Sequence, residues 1–209
     1  MIPKKDLLAG ATAIAQALGN PGRLELVELL AQRTFTVTDL AETAHMNIKT
    51  ASAHLQVLKT SGLVTSQREA TSTSYSLNDA AALLLAQLYS AAYALDATTR
   101  ELHSQSLPPG VELVEFDDLP RLAPHTILDV RPAAEYDAGH IDGAMNVPVE
   151  DVHARMASVP ADHMVLVYCR GPFCLLAHRA AAVAVAQGRQ VAVVSSGGVG
   201  LRSKHYAHS

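Results

Sequence analysis

The chain has 209 residues, of which 49% are hydrophobic and 17% charged, and its net charge is −4. This length fits one large domain or two small ones, and the apolar content excludes wholesale disorder. Two cysteines are too few for a secreted disulfide framework or a four-thiolate zinc site. The sequence shows neither the apolar core of a signal peptide nor a window of about 18 apolar residues for a membrane span. We therefore expect a cytoplasmic protein without membrane contact, and the net charge gives no indication of nucleic-acid binding.

Hydrophobic periodicity changes once along the chain. Residues 1–106 carry helical spacing, as in Leu24, Val27 and Leu30, and one long helix is predicted from about Asp79 to His103. After a Pro- and Gly-containing hinge at residues 106–110, short β-rich runs alternate with a helical one, which indicates a parallel sheet. The predicted strands are Val111–Val114, Thr126–Val130, Met164–Tyr168 and Gln190–Val194, and the clearest helix is Leu175–Gln187. We predict a mainly-α winged-helix domain over residues 1–106 and an α/β domain with a central parallel sheet over residues 107–209.

Three helix starts in the first half carry capping signals. Asn20 precedes Pro21, Thr36 opens a capping box, and Asn47 precedes a helix that Gly62 should end. The predicted helices run to about Ala31, to about Ala44, and from Ile48 to Ser61. The last two form a helix-turn-helix candidate, and a hairpin of residues 63–67 and 72–77 should follow as a wing.

The third of these helices has the charge pattern of a DNA reader. It carries no acidic residue between Asn47 and Ser61, which suits a major groove lined by phosphates. Ala51, Leu55 and Leu58 should pack inward. The candidate contacts to double-stranded operator DNA are Lys49, Thr50, Ser52, His54, Gln56, Lys59 and Arg68, with Lys59 assigned to the DNA backbone and Arg68 to the wing tip.

Residues 17–24, 37–41 and 52–64 together resemble the ArsR/SmtB family of winged-helix repressors, over about residues 8–100. The resemblance implies a homodimer joined by its first and last helices, which binds an imperfect palindrome. Leu84, Leu88, Ala92 and Leu95 fit such a helix–helix interface, and they fit an intradomain core equally well.

The metal-sensing residues of that family are missing. Thr36 and Thr38 stand where many members have cysteines, and hydroxyl groups do not hold soft metals. Along the last helix only Asp96 and His103 are available, fewer than the three or four ligands that zinc takes. We therefore predict no metal site and no cofactor, and expect this pair to lie on a solvated helix end.

Both cysteines lie in the segment Cys169-Arg170-Gly171-Pro172-Phe173-Cys174, between a predicted strand and a predicted helix. Ligands of open α/β sheets bind where such strands end. Loop N–H groups and the helix N-terminus should stabilise a thiolate at Cys169, and Arg170 should attract an anionic substrate. An isolated cysteine at this position can also be a small buried apolar residue.

Residues 128–132, 135–136, 139–144 and 146–148 resemble the rhodanese homology domain, over about residues 112–200. The resemblance makes Cys169 the nucleophile that carries sulfur as a persulfide, in a cradle formed by Arg170, Gly171, Pro172 and Phe173. It gives Asp129, Arg131 and His140 loop-fixing structural roles. The six-residue loop resembles that of sulfurtransferases, whereas related phosphatases and arsenate reductases have a longer loop ending in Arg.

Cys174 stands where the family often has Thr or Ser. It is either a resolving thiol that attacks a Cys169 persulfide, giving a disulfide or a sulfur-bridged link, or a neutral replacement for Ser. We favour a transcriptional regulator that senses small sulfur donors such as thiosulfate, persulfides or polysulfides. The alternatives are a sulfurtransferase enzyme with an accessory winged helix, and a repressor that binds arsenite through Cys169 and Cys174.

Overall fold

A computed structural model describes residues 3–69, 71–121, 124–195 and 197–200. The chain divides into two compact units, Met1–Leu85 and Ala86–Ser209. The division falls inside the helix Asp79–Leu95, earlier in the chain than the boundary predicted near residue 107. Residues 86–106 therefore belong to the same compact unit as the α/β part of the chain.

The first unit has the predicted winged helix-turn-helix fold. Its elements are α1 (Lys4–Leu18), α2 (Pro21–Leu30), β1 (Phe35–Thr36), α3 (Val37–Thr43), α4 (Ile48–Thr60), β2 (Val64–Glu69) and β3 (Ser72–Leu77). Strand β3 lies between β1 and β2 and runs antiparallel to both. The predicted hairpin is confirmed, and Ala51, Leu55 and Leu58 bury the inner face of α4 as predicted.

The predicted helix starts are capped as expected. The side-chain oxygens of Asn20, Thr36 and Asn47 accept backbone N–H bonds of 2.7–3.2 Å from the first turns of α2, α3 and α4. These oxygens satisfy donors that an α-helix leaves unpaired at its start. Gly62 follows α4 with a φ of +78°, a left-handed conformation that glycine adopts without strain.

The long helix predicted from Asp79 to His103 is wrong, because the chain bends by 98° between α5 (Asp79–Leu95) and α6 (Ala97–Ser106). Asp96 is the cap of α6, where its carboxylate accepts the N–H groups of Thr98 and Thr99. Hydrogen bonds from the Thr99 hydroxyl and N–H lower the pKa of Asp96, which keeps this cap charged. Within the described residues no single helix is long and apolar enough to span a membrane, and α5 with α6 meets that test only jointly, across the bend.

The second unit contains the predicted parallel sheet. Its further elements are β4 (Glu112–Val114), β5 (His125–Asp129), α7 (Ala133–Asp137), β6 (Met145–Asn146), α8 (Val152–Arg155), β7 (Met164–Tyr168), α9 (Leu176–Ala186) and β8 (Val191–Val194). The strand order is β4-β8-β7-β5-β6, and every pair in it is parallel. The four predicted strands and the predicted helix are confirmed, and β6 is too short to give a periodic pattern.

The sheet is buried on both faces, and this explains the apolar runs of its central strands. Val165, Leu166, Val167 and Tyr168 of β7 are fully buried, and a separate apolar cluster covers each face. Strands β5 and β7 are neighbours, so their carboxyl ends meet at one edge of the sheet. The cysteine-bearing loop starts at that edge.

Candidate functional site

The two cysteines lie at the two ends of a tight loop between β7 and α9. Cys169 follows β7 directly, and the N–H of Cys174 donates to the carbonyl of Gly171 at 3.1 Å. Cys169 is 2% exposed and Cys174 is 8% exposed. The loop therefore brings the two predicted thiols together and removes both from solvent.

The two thiols interact with each other. The Cys169 sulfur lies 3.1 Å from the Cys174 carbonyl oxygen and also hydrogen-bonds the Cys174 side chain. The hydrogen bond from the Cys169 thiol is the main reason why the pKa of Cys174 is lowered to about 6. Burial acts in the opposite direction, and hydrogen bonds from the backbone of Leu176 and Arg170 lower this pKa further. Cys174 is therefore mostly thiolate at neutral pH. The N–H groups of Arg170 and Leu176 act on Cys174, and stabilisation of a thiolate at Cys169 by loop N–H groups stays a prediction.

The charge of Arg170 is held by a carboxylate that sequence reasoning missed. Its guanidinium donates to both oxygens of Glu135 on α7, at 2.7–3.2 Å, and the Glu135 side chain is 2% exposed. A cation paired in this way is a weak attractor for a substrate anion, because most of its field is cancelled locally. Glu135 is part of the rhodanese-like motif, but its partner lies 35 residues away and no local pattern links the two.

Asp129 and Arg131 form a buried network at the end of β5. The backbone N–H and the guanidinium of Arg131 both donate to the Asp129 carboxylate, and Arg131 also donates to the Gly139 carbonyl at 2.8 Å. The Tyr168 hydroxyl donates to Asp129 at 2.5 Å and accepts the N–H of Ile141 at 3.0 Å. Burial first, and then the Asp129 charge, raise the pKa of Tyr168, so this hydroxyl stays protonated. The network ties two strand ends to the loop at residues 139–141.

His140, the third predicted signature residue, lies on the surface beside this network. Its ring stacks on Tyr136 with 3.7 Å between centroids, and its Nδ1 is 3.0 Å from the Tyr136 carbonyl oxygen. The hydroxyl of Tyr136 donates in turn to the carbonyl of Ala144. These contacts hold the turn that follows α7.

Gly197 packs closely against the backbone of the thiol loop. Gly197 has a φ of +52°, and a Cβ there would lie 2.6 Å from the Cys169 carbonyl oxygen and 2.7 Å from the Gly171 nitrogen. The N–H of Gly198 donates to the Cys169 carbonyl at 2.8 Å. Gly197 and Gly198 thus bring their backbone against the backbone of the loop, while Ser196, Leu201 and Arg202 lie outside the described residues.

Aromatic rings from α5 and α6 pack on the loop within the second unit. The Phe173 ring contacts the rings of Tyr89, at 4.9 Å between centroids, and His103, at 6.2 Å. The His103 ring also contacts Tyr93 and His178, and the His178 Nδ1 lies 2.7 Å from the Ser106 hydroxyl. His103 is 6% exposed, so the expectation that it lies on a solvated helix end is wrong. His103 is buried because the chain bends at Asp96, and helical periodicity does not reveal this bend.

The space around the sulfurs is closed. It is bounded by both cysteines, His103, His178 and Pro172, and it has no volume for a water molecule. Burial lowers the pKa of His103 and is also the main cause that lowers the pKa of His178, so both imidazoles are neutral at pH 7. A donor therefore reaches the thiols only when part of this wall moves.

The predicted DNA-reading residues divide into two groups. Lys49, Thr50, Ser52, Gln56, Lys59 and Arg68 are exposed on α4 and β2. The Lys59 ammonium donates to the Ser66 hydroxyl at 2.7 Å, which ties α4 to the wing. His54 is half-buried, with its ring against Gly22 at the start of α2, and lies apart from the exposed group. Among the described residues no group of three or more His, Cys, Asp or Glu is arranged to hold a metal ion.

Two family models match the chain. Residues 20–66 match the bacterial regulatory protein arsR family, and residues 112–203 match the rhodanese-like domain. The HTH-type transcriptional regulator Rv0324 of Mycobacterium tuberculosis is 35% identical over 198 residues, which cover 93% of this chain and 88% of that protein.

Two solved structures each match less than half of the chain. The winged helix-turn-helix fragment of a possible ArsR-family regulator from Mycobacterium bovis is 39% identical, covering 43% of this chain and 83% of that chain, with a TM-score of 0.41. The reduced CoADR-RHD of Bacillus anthracis is 24% identical, covering 46% of this chain and 17% of that chain, with a TM-score of 0.40.

The first prediction concerns the glycine that closes the loop. Gly197→Ala should lower the free energy of unfolding by more than Gly188→Ala, by at least about 1 kcal/mol. Both glycines have a positive φ, but a Cβ at Gly188 meets no atom within 4 Å, whereas one at Gly197 meets loop backbone. Urea unfolding of the two variants measures the difference, and equal losses would contradict the close approach.

The second prediction separates the causes of the low pKa of Cys174. In Cys169→Ser the hydroxyl still donates to the thiolate, so the ultraviolet thiolate absorbance should titrate near pH 6. In Cys169→Ala the largest stabilising bond is lost, so the pKa should move up toward the ordinary thiol value of 9.0. Each variant has one cysteine left, which makes the titration unambiguous. The same midpoint in both variants would rule out the thiol–thiol bond as the cause.

Proposed function

Because the chain belongs to the ArsR family of transcriptional regulators and carries a C-terminal rhodanese-like domain, we propose that it is a DNA-binding repressor that senses reactive sulfur through this domain. The observation that carries the proposal is a pair of buried thiols at the two ends of one tight loop, where the Cys169 thiol donates to the Cys174 carbonyl at 3.1 Å and stabilises the Cys174 thiolate. One of them is held as a thiolate near neutral pH. The reaction needs reduced thiols beside DNA, so a cytoplasmic location is part of the proposal.

The chemistry follows from the shared proton of the pair. The Cys174 thiolate accepts the Cys169 proton as Cys169 bonds to the outer sulfur of a hydropersulfide R–S–SH; the donor's S–S bond breaks and R–S⁻ leaves. Cys174, deprotonated again, then attacks the Cys169 sulfur and displaces hydrosulfide. The product is a Cys169–Cys174 disulfide: the transferred sulfur is reduced to sulfide as the two thiols are oxidised.

The closed space converts this chemistry into a change of shape. An added sulfur atom has no room beside Cys169, so it displaces the wall in which Phe173 contacts His103 and Tyr89. Tyr89 belongs to α5, the helix within which the two compact units divide. Allosteric coupling free energies are typically about 1–3 kcal/mol, enough to change operator affinity about 5–150-fold.

We propose further that the regulator is a homodimer formed through α1 and α5. Leu7 and Leu8 on α1 are 71% and 50% exposed, and Leu95 on α5 is 86% exposed. The other apolar residues of this predicted helix–helix interface, Leu84, Leu88 and Ala92, are half-buried. Exposed apolar side chains on these two helices suit the isologous interface of a two-fold dimer that reads a palindrome.

The closed site weighs against the sulfurtransferase alternative. A turnover enzyme must admit a donor and an acceptor to Cys169 in every cycle, whereas a sensor reacts once. For the arsenite alternative, the same two thiols would be the ligands. Sodium arsenite is therefore included as a separate arm of the operator experiment.

The third prediction tests sensing directly, with operator DNA selected from a random pool by the untreated protein. A hydropersulfide donor should weaken operator binding of the wild type by about 5–150-fold and leave Cys169→Ser unchanged. Cys174→Ser should load sulfur without forming the disulfide, so cyanide should reverse its response. Equal affinities with and without donor in all three proteins would refute the sensor, and a response to arsenite alone would favour the arsenic reading.

The fourth prediction concerns DNA reading. Lys49→Ala should weaken binding to all sequences and lower the salt slope of log K by about 1, because one phosphate contact is lost. Gln56→Ala should reduce discrimination at one base position by about 1–3 kcal/mol. Arg155→Ala, at an exposed position of α8 in the second unit, removes the same charge and is the control. A salt slope unchanged by Lys49→Ala would remove this residue from the interface.

A further inference from the structure

A cavity of about 340 Å³ lies beside the thiol loop, entirely within residues 86–200. Helix α5 lines it with Tyr89 and Tyr93, α6 with His103, and the loop with Pro172. Ser90 and Ala94 lie at its mouth and are exposed, so the cavity is open to solvent. Its volume is at the lower end of the range for small-molecule sites, about 300–1,000 Å³.

The charges around the cavity disfavour an anionic ligand. Among the residues named as its lining, the one ionised side chain is Glu115, an exposed carboxylate at the rim. The nearest loop cation, Arg170, is paired with Glu135. An anion entering this space would lose water without gaining a partner of opposite charge. The two tyrosine rings instead offer apolar surface to an uncharged molecule.

The wall of the cavity contains a buried polar side chain, His103, that lacks well-formed hydrogen bonds. His103 is 94% buried, and neither of its ring nitrogens makes a hydrogen bond of acceptable geometry. The Pro172 carbonyl lies close enough to raise the pKa of the ring, but burial lowers this pKa more strongly. Leaving the donor and the acceptor of this neutral, buried ring without well-formed hydrogen bonds costs free energy. A hydrogen-bonding group on a ligand, reached by a small rotation of the ring, offsets that cost.

The cavity and the closed space around the thiols share a wall. His103, Leu113, Pro172 and Ser195 line both spaces. A molecule in the cavity is therefore separated from Cys169 and Cys174 by these side chains. Of these, His103 belongs to α6, before the segment that matches the rhodanese-like domain.

We propose that this cavity binds an uncharged, largely apolar organic molecule, and that the sulfur donor of the regulator is of this class, an organic trisulfide whose substituent occupies the cavity. The donor assignment rests on the proposed function, whereas the binding site does not. Cys169 passes its proton to the Cys174 thiolate and bonds to an outer sulfur of R–S–S–S–R, the adjacent S–S bond breaks, and R–S–S⁻ leaves as the product R–S–SH after taking that proton from Cys174, so that a mixed disulfide Cys169–S–S–R remains. The Cys174 thiolate then displaces R–S⁻ from Cys169, so the trisulfide is the oxidant and a Cys169–Cys174 disulfide remains.

The binding site is tested without sulfur chemistry, by fluorescence titration with 2-naphthol, an uncharged ring system with one hydroxyl. The wild type should bind it at least about tenfold more tightly than 2-naphthoate, its anionic counterpart. Ala86→Phe fills the cavity and should weaken binding about tenfold or more, and Ser90→Phe should do the same at the mouth. Ala91→Phe adds the same ring at an exposed position of α5 outside the lining and should change little. Failure of the wild type to bind 2-naphthol, or equal effects of Ala86→Phe, Ser90→Phe and Ala91→Phe, overturns the site.

The donor assignment is tested with diallyl trisulfide and thiosulfate, by mass spectrometry of the thiols over time. The trisulfide should convert the wild type to the disulfide at least about tenfold faster than thiosulfate modifies it, and Ala86→Phe but not Ala91→Phe should slow this reaction. Reaction with both donors at rates that Ala86→Phe leaves unchanged overturns the donor assignment and leaves sulfur sensing intact. If neither donor modifies the wild type while 2-naphthol still binds, the donor assignment fails and the cavity stands, whereas the proposed function is decided by the hydropersulfide experiment on operator binding.

Discussion

The Asp129 carboxylate is fully buried where β5 ends, and its hydrogen bonds to Arg131 and Tyr168 fix the frame on which the thiol loop is built. Tyr168 directly precedes Cys169, so the position of the first sulfur follows from a bond made one residue earlier. Burying these charges is costly, and the pair is tolerable because each partner makes further hydrogen bonds. Removing one partner leaves an uncompensated buried charge, which typically costs about 3–5 kcal/mol. The loop is therefore only as well ordered as this network.

A second buried pair, Arg170 with Glu135, decides what kind of site the loop forms. A cationic side chain attracts a substrate anion when its charge is unpaired, but here the Arg170 guanidinium is already paired with the Glu135 carboxylate. Stabilisation of the Cys174 thiolate comes chiefly from hydrogen bonds of the other thiol and of backbone N–H groups. The anion of this site is thus its own Cys174 thiolate, not a bound substrate. The neighbouring apolar cavity, for which we propose uncharged ligands, fits the same arrangement.

The features predicted correctly from the sequence are those that neighbouring residues determine. The features that were missed depend on where the folded chain places distant segments. The caps at Asn20, Thr36 and Asn47 and the apolar strands were predictable because neighbouring residues suffice to determine them. The bend at Asp96 was missed because an Asp cap after the apolar pattern of α5 does not by itself fix the direction in which the next, polar helix leaves. That bend buries His103 against Phe173, a contact between residues 70 positions apart. The Arg170–Glu135 ion pair was also not predicted, because the two residues lie 35 positions apart and meet only in the folded chain. Arg170 lies in the cysteine-containing loop and Glu135 in the rhodanese-like motif.

The absence of free volume around the sulfurs also governs kinetics. A thiol sealed in this way reacts only during the brief intervals in which its wall is open, as a protected amide exchanges only from an opened state. When donor is scarce, the reaction rate follows its concentration multiplied by the open population; when donor is abundant, the opening rate sets a ceiling. A short and a long exposure to the same donor concentration then modify different fractions of the protein. Under the proposed sulfur sensing, the extent of reaction therefore depends on the time of exposure as well as on the donor concentration.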